Sequence, residues 1–439
     1  MLSGATFDCL MSPSTLPTLE PRPSLGMPSS TPNASPPPNR GSLERPPEPH
    51  HLSIETNVYV GLQASARLPA WLAAYGFMHP SAIIDEAVAA LPSMDARLHG
   101  WEEQGLHVVK VYRSRSMKEP DYDYLDEVTN EFRGLKTDVV IGIGGGSALD
   151  LAKGVGLLLR NPGHGVAYRG INKILHPGIP VVLLPTTAGS GSEVTATASF
   201  IDRKTNSKLG INGRYVGCLF SVLDPALLTS CPASVTIGSG LDALVHAVEA
   251  VTATSANSVS ILFGIEATRL LLASLPTAVA EPDNVEARAA TLLGSHYAGM
   301  AMRNAGGGPA SGISYPLGSC YEVPHGFAGG LLLPHIVTFN VRQGYIAGYA
   351  RIYERLDGVT AHRLDDQGKA AAFRDALWNL YQRLGTPRTL SRWGVGREAV
   401  LLLADLTLAQ RKTNLDLNPA PFCREDVVTL LTSVTGSAG

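Results

Sequence analysis

TDVVIGIGGGSALDLAKGVGLLL, Thr137 to Leu159, reads as an apolar strand, a run of glycines and then a helix. Gly144, Gly145 and Gly146 let the backbone approach a phosphate closely. The helix that begins near Ser147 offers unpaired N–H groups and a positive dipole end to an anion such as a pyrophosphate. The stretch is not GxGxxG, and a tight turn needs glycine in any case, so alone it does not separate a nucleotide site from a plain turn. Asp150 and Lys153, spaced i, i+3, share one face near the supposed phosphates. An exposed helical ion pair is the alternative for those two.

Working outward, short apolar runs alternate with helical patterns from about Asn57 to the 220s: NVYVGL, SAIID, LHVVKVY, TDVVIGI, PVVLLP and CLFSVLD, separated by stretches such as YDYLDEVTNEFRGL. This alternation implies βαβ units and a mostly parallel sheet. PVVLLPTTAGSGSEVT repeats the strand-then-glycine design, with Thr186, Thr187, Ser190 and Ser192 as hydroxyls suited to phosphate or ribose oxygens. Such a loop also hydrogen-bonds its own backbone. Two of them following two strands of one sheet favour a dinucleotide.

After Asp224-Pro225 the periodicity turns helical nearly throughout, as in SGLDALVHAVEAVTA, VEARAATLLGSHYAGMAMRNA and FRDALWNLYQRL. The expected fold is an α/β dinucleotide-binding domain over 56–227 with a mostly parallel sheet, an all-helical domain over 228–439, and a cleft between them. The first fifty residues hold twelve of the 31 prolines, so 1–55 is expected to be a disordered Pro/Ser-rich tail.

Within the helical part, Asp242 and His246 at i, i+4 point from one helix face, and a carboxylate with an imidazole suits iron(II), zinc or manganese. Alone, such a pair is more often a structural hydrogen bond than a ligand pair. His325, in an expected PHG turn, is a candidate third ligand or a histidine packed beside a turn glycine. His296 reads as a satisfied helix histidine and His335 as a residue at the end of an element.

The 439 residues are 44% hydrophobic and 17% charged, with a formal net charge of -3. That balance gives no electrostatic case for nucleic acid or an anionic membrane as partner and points to small-molecule chemistry. The five cysteines form no CxxC pair, which fits a reducing compartment. No apolar run approaches the roughly 20 residues that span a bilayer, and no secretory signal is read at the N-terminus. A cytoplasmic protein is expected.

Together the motifs resemble the iron-containing, or group III, alcohol dehydrogenase family, relatives of the dehydroquinate synthase fold. The resemblance covers about 57–435 and rests on GGGSALDLAK, PTTAGSGSEVT, GLDALVHAVEA and PHGFAGGLLLPH in the family's order and approximate spacing. It implies an NAD(P)-dependent oxidoreductase interconverting an alcohol and an aldehyde or ketone, working as a homo-oligomer, a dimer. By the same resemblance Gly145, Gly146, Ser147 and Asp150 belong to the nucleotide loop, Thr186 and Thr187 to a second loop, and Lys208 lies near the cofactor. Asp85 matches an acidic residue at the adenosine ribose, which favours NAD over NADP because a carboxylate repels a 2′-phosphate. Asp242, His246 and His325 match three of four ligands to a divalent metal, iron or zinc.

The fourth ligand is where the chain departs from the family. The family's HxxxH before PLG reads SGISY, so Ser311 replaces a ligand and Tyr315 a histidine near substrate. Weaker metal binding is expected, with Tyr315 offering a phenol as proton donor. The small residues of NAGGGPAS leave room for a larger or more polar substrate, and RNPGHGVAYRG is similar to the branch acting on sugar acids. Two alternatives stay open: a dehydroquinate synthase-like lyase using NAD transiently, against which no basic pocket is seen in the helical half, and a nucleotide-binding relative without catalysis.

Overall fold

The computed structural model describes residues 52–54, 57–115, 119–205, 207–356 and 358–435. The tail expected over 1–55 lies outside them apart from 52–54. There the Ser53 backbone exchanges hydrogen bonds of 2.9 and 3.0 Å with the Asn304 amide.

Eleven strands occur among the described residues. They are β1 (Asn57–Val60), β2 (Pro80–Asp85), β3 (Lys110–Ser114), β4 (Val139–Gly144), β5 (Gly170–Ile171), β6 (Val181–Pro185), β7 (Thr197–Ala198), β8 (Ile201–Asp202), β9 (Ser207–Lys208), β10 (Ile211–Asn212) and β11 (Phe220–Leu223). Six form one sheet in the order β1-β11-β6-β4-β2-β3, and every pair in it is parallel. The third strand begins four residues later than the run LHVVKVY suggested. The two-residue strands make two small sheets that the sequence pattern did not reveal.

Helices α1 (Leu68–Ala74), α2 (Glu86–Ala89), α3 (Pro92–Glu103), α4 (Tyr122–Phe132) and α5 (Gly146–Leu158) flank the sheet. Alternation along the strands divides the core. Ile83, Val140 and Leu183 face α4 and α5 through Leu125, Val128, Phe132, Leu149 and Ala152. Ala82, Ile84, Ile141, Ile143 and Leu184 face α1 and α3 through Leu68, Leu72, Met94 and Trp101. A sheet covered on both faces needs strands that are apolar on both, which is why β4 and β6 read as continuous apolar runs.

From Ala233 onward the chain is helical: α6 (Ala233–Thr252), α7 (Ser258–Ala280), α8 (Val285–Ala305), α9 (Pro309–Tyr321), α10 (His325–Arg342), α11 (Ala347–Leu356), α12 (Gly358–Ala361), α13 (Asp366–Leu384), α14 (Val400–Asp416) and α15 (Arg424–Val434). The change of pattern at Asp224 falls where its carboxylate caps a short 3-10 turn, Pro225–Leu228. Sheet-bearing and helical parts belong to one compact unit, 49–439. Helix α6 is its axis: a Cβ at Gly240 would lie 2.5 Å from Leu275 of α7, and one at Gly264 would lie 2.8 Å from the Ala247 carbonyl, so glycine permits the close crossing.

Two expectations need correction. By length and composition α7 is apolar enough to cross a bilayer, although no run of that kind was expected; 44% of its most apolar window is buried inside the fold. The charges that interrupt the run, Glu266 and Arg269, are an i, i+3 ion pair with each other. His335 lies inside α10 rather than at its end, with Trp378 edge-on to its ring at 5.3 Å.

Candidate active site

Strand order reverses between β2 and β4, so their carboxyl ends flank the crevice where open parallel sheets hold ligands. Asp85, Gly144 and Pro185 end three adjacent strands there. Gly144 has φ 150°, and a Cβ on it would lie 2.8 Å from Ala148 and 2.9 Å from Asp85. The Thr186 N–H donates to the Gly144 carbonyl at 2.9 Å, which sets the two glycine loops side by side. A partly accessible row results: Asp85, Gly145, Gly146, Ser147, Thr187 and Ser190, around the N-terminus of α5. The Asp85 carboxylate also caps α2 by accepting from the Ala87 and Val88 N–H groups.

Lys153 is not at a phosphate. Its buried ammonium donates to the carbonyls of Ser192, Thr195 and Thr197 and lies 3.3 Å from Asp150. Asp150 in turn accepts from the Ser192 hydroxyl and the Ser199 N–H. The pair on α5 therefore fastens the second loop. That loop is also tied to the helical part, because Glu193 meets the buried His296 ring at 3.1 Å. A Cβ at Gly189 would lie 2.6 Å from Ser239, one turn before Asp242 on α6.

Asp242, His246 and His325 converge. One ligand atom from each lies within 4.8 Å of the others, with Asp242 Oδ1 3.6 Å from His246 Nε2 and 3.8 Å from His325 Nε2. Ligands bound at about 2.1 Å in a tetrahedron sit about 3.4 Å apart, so these spacings suit one divalent ion. Nε2 is the His246 nitrogen that faces the triad, and its buried Nδ1 has no hydrogen-bond partner. Burial pushes the His325 ring down to about 4, leaving it neutral and able to ligate at neutral pH. The Ser314 hydroxyl donates to the Ser311 carbonyl at 2.6 Å, so its oxygen accepts from His325 Nδ1–H at 2.8 Å. That tautomer leaves the Nε2 lone pair facing Asp242.

His325 is the first residue of α10 and not part of a turn. The preceding helix stops at Glu322, whose φ of 53° is left-handed, and Pro324 then fixes the entry to α10. Ser311 holds no ligand position: its hydroxyl donates to Glu249 at 2.6 Å. Glu249 also accepts from the Gly308, Ala310 and Ser311 N–H groups, a buried carboxylate capping the positive end of α9.

Beside the triad, the Tyr315 ring lies 4.8 Å from that of His325. Lys208 Nζ is 5.6 Å and Arg411 Cζ 3.6 Å from the Tyr315 centroid. Lys208 pairs with Glu119 at 2.5 Å. Burial alone would lower the Lys208 pKa, but the Glu119 charge outweighs it and the ammonium is held protonated. Burial likewise pushes Glu119 up, and Lys208 with Arg411 and His325 overcomes it and holds the carboxyl below its usual range. Sequence reasoning missed Glu119, Glu249, Ser314 and Arg411. Arg411 is a single basic group that the helical half brings to the site, short of the lysine- and arginine-rich pocket whose absence the sequence implied. LAQRKTN carries no motif, and only the packing of α14 on α9 reveals its place.

Two family models match the chain. "Iron-containing alcohol dehydrogenase" covers residues 55–225, and "Fe-containing alcohol dehydrogenase family, C-terminal" covers 236–435. The chain is 34% identical to an NAD-dependent methanol dehydrogenase of Bacillus methanolicus over 66% of its length and 76% of that protein. It is 34% identical to a sulfoacetaldehyde reductase of Bilophila wadsworthia (strain 3_1_6) over 73% of its length and 83% of that protein. Among solved structures, an alcohol dehydrogenase from Oenococcus oeni superimposes with a TM-score of 0.81 at 26% identity, covering 88% of this chain and all of that one.

Proposed function

The chain belongs to the iron-containing alcohol dehydrogenase family, and from that premise we propose how its own residues divide the work. It is an NAD-dependent oxidoreductase that interconverts an alcohol and an aldehyde and uses a divalent metal. That assignment displaces the lyase and the non-catalytic alternatives. NAD supplies or accepts the hydride, and a divalent ion on Asp242, His246 and His325 supplies Lewis-acid polarisation of the substrate oxygen.

The remaining roles belong to this chain. Gly145, Gly146 and Ser147 at the N-terminus of α5 bind the pyrophosphate, with Thr187 and Ser190 opposite, while Gly144 and the buried Thr186 hold the two loops together. Asp150 keeps the second loop in place from behind. In aldehyde reduction one hydride adds to the carbonyl carbon and one proton to its oxygen, and Tyr315 gives that proton with Lys208 beside it. The observation that carries this reading is the packing of the second glycine loop on α6 at Ser239, one turn from Asp242, which brings cofactor loop and ligand triad together. Following NADH oxidation over a panel of small aldehydes with metal-stripped and metal-resupplied enzyme tests it. Equal rates before and after resupply would remove the metal from the mechanism.

Asp85 sets the cofactor preference. NADH is expected to exceed NADPH in kcat/KM by about tenfold or more, because a carboxylate repels the 2′-phosphate. Asp85→Asn, which keeps a cap for α2, should narrow that ratio; an unchanged ratio would assign the preference elsewhere.

The active unit is a homodimer in the cytoplasm. Support for the dimer is the edge position of β1 beside the exposed Val60 and Leu62, 58% and 57% accessible. Light scattering that returned the monomer mass would count against it. The free thiols of Cys218, Cys231, Cys320 and Cys423 suit a reducing compartment. Cell fractionation that recovered the protein outside the cytoplasm would remove that assignment.

A further inference from the structure

Helix α14 is broken at one residue. Arg411 has φ -133° and ψ 22° inside an otherwise helical run, and its side chain turns toward Tyr315. Only 9% of Arg411 is exposed. One guanidinium nitrogen donates to the Lys208 carbonyl, whereas the buried Nε has no partner. A buried donor left unmade costs about 1–3 kcal/mol, and more when the group is charged. Structural arginines normally avoid that cost: Arg288, more deeply buried still, spends Nε on the Pro282 carbonyl and its other nitrogens on Thr236 and the Cys231 carbonyl.

The local charges sharpen the point. Glu119 is taken up by Lys208, and Asp242 faces His246 and His325. Among the described residues no carboxylate forms an ion pair with Arg411. Its charge sits on one face of the Tyr315 ring, and the His325 imidazole is 4.8 Å from the centre of that ring. A molecule whose carbonyl reaches the triad and which extends along Tyr315 meets a cation with no ion-pair contact of its own among the described residues, Glu119 being in contact with Lys208 and acting on Arg411 only at a distance. The planar guanidinium fork matches a carboxylate or sulfonate. A Cβ at Gly312 would lie 2.8 Å from Asn414 Cβ and 3.6 Å from Arg411 Cβ, so glycine there lets α14 pack closely on α9 and sets Arg411 against Tyr315.

We propose that Arg411, with Lys208 beside it, is an anion subsite, and that the substrates of this enzyme are short aldehydes or ketones carrying a carboxylate or sulfonate. This rests on the oxidoreductase reading above and narrows its substrate class. Arg411 acts by binding and orienting the substrate, so its removal acts on KM for the aldehyde before kcat.

The test compares succinic semialdehyde with butanal in NADH oxidation, with metal supplied. Wild-type kcat/KM is expected to favour the anionic aldehyde by about 100-fold, the scale of a charge-assisted bidentate pair. Arg411→Gln should bring the two aldehydes to within about fivefold of each other, chiefly through KM for the semialdehyde, with Arg411→Lys in between. In parallel, calorimetry on the NAD-loaded full chain measures binding of 4-hydroxybutanoate against 1-butanol, and needs no turnover. Equal wild-type preference for the two aldehydes overturns the subsite and leaves the oxidoreductase reading standing. So does an Arg411→Gln effect confined to KM for NADH, which would make the residue a cofactor contact. Binding of 4-hydroxybutanoate but not of 1-butanol, with neither aldehyde reduced, supports the subsite while the oxidoreductase reading falls. Absence of binding for both ligands overturns the subsite.

Discussion

Asp242→Asn is expected to lower kcat/KM for aldehyde reduction by about 10³-fold, equivalent to about 4 kcal/mol of lost transition-state stabilisation. It should also release the divalent metal on dialysis. The size follows from the ligand count. Asp242 Oδ1 is the atom that both histidines approach, at 3.6 and 3.8 Å, and it carries the triad's only negative charge. Because Ser311 gives its hydroxyl to Glu249, no fourth side chain stands in reserve among the described residues. Removing one of four ligands leaves a workable open site, whereas removing one of three leaves two imidazoles. The amide is nearly isosteric and Asp242 is only partly buried, so the thermal midpoint of the metal-free protein should move little. Metal content by mass spectrometry, beside kcat/KM, separates this from unfolding. An Asp242→Asn enzyme that kept wild-type rates in the presence of a chelator would end the metal assignment.

The sheet was legible because both-faces-buried strands leave continuous apolar runs, and PVVLLP and VVIGIG could hardly be anything else. The ligand triad was legible for a different reason. Asp242 and His246 are local, fixed by the helical repeat, and His325 was a candidate that spacing could not tie to them, so it took the resemblance to join all three. What stayed hidden depends on packing between distant segments. Lys153 seemed to look toward a phosphate because it follows Asp150 by three residues, yet it is turned onto carbonyls more than forty positions away. Arg411 drew no reading from the sequence, because only the packing of α14 on α9 brings it to Tyr315. Ser311 looked like a lost ligand, and it is in fact the partner of a carboxylate, Glu249, one turn beyond His246. Each of these turns on which side chain meets which, and sequence spacing carries that information only within an element.

Gly326→Ala should be among the most damaging single substitutions in the chain, although it adds one methyl group. A Cβ there would lie 1.9 Å from the Gly238 carbonyl oxygen, 2.8 Å from its carbon and 3.0 Å from Asp242 Cβ. The first two of these neighbours are backbone of α6 and cannot rotate away, so relief requires the start of α10 to move off α6 by about 1 Å or more. Overpacking of this kind costs about 3 kcal/mol or more, far beyond the helix propensity that alanine gains over glycine. The displaced residue next to it is His325, so the triad opens at the same time, and a misplacement of about 1 Å costs about 10²-fold in rate even when the chain stays folded. Gly329, one turn further along α10, is the control. A Cβ there would find the Ala310 carbonyl at 3.5 Å and Val245 at 3.5 Å, ordinary contact distances, so Gly329→Ala should be neutral or stabilising by up to about 1 kcal/mol. Urea unfolding and metal titration of the two variants side by side distinguish a steric demand at the α6–α10 crossing from a general dislike of alanine in this helix. If Gly326→Ala matched Gly329→Ala in stability and bound metal as well, the close approach that positions His325 would have to be abandoned, and with it the reason a glycine follows this histidine.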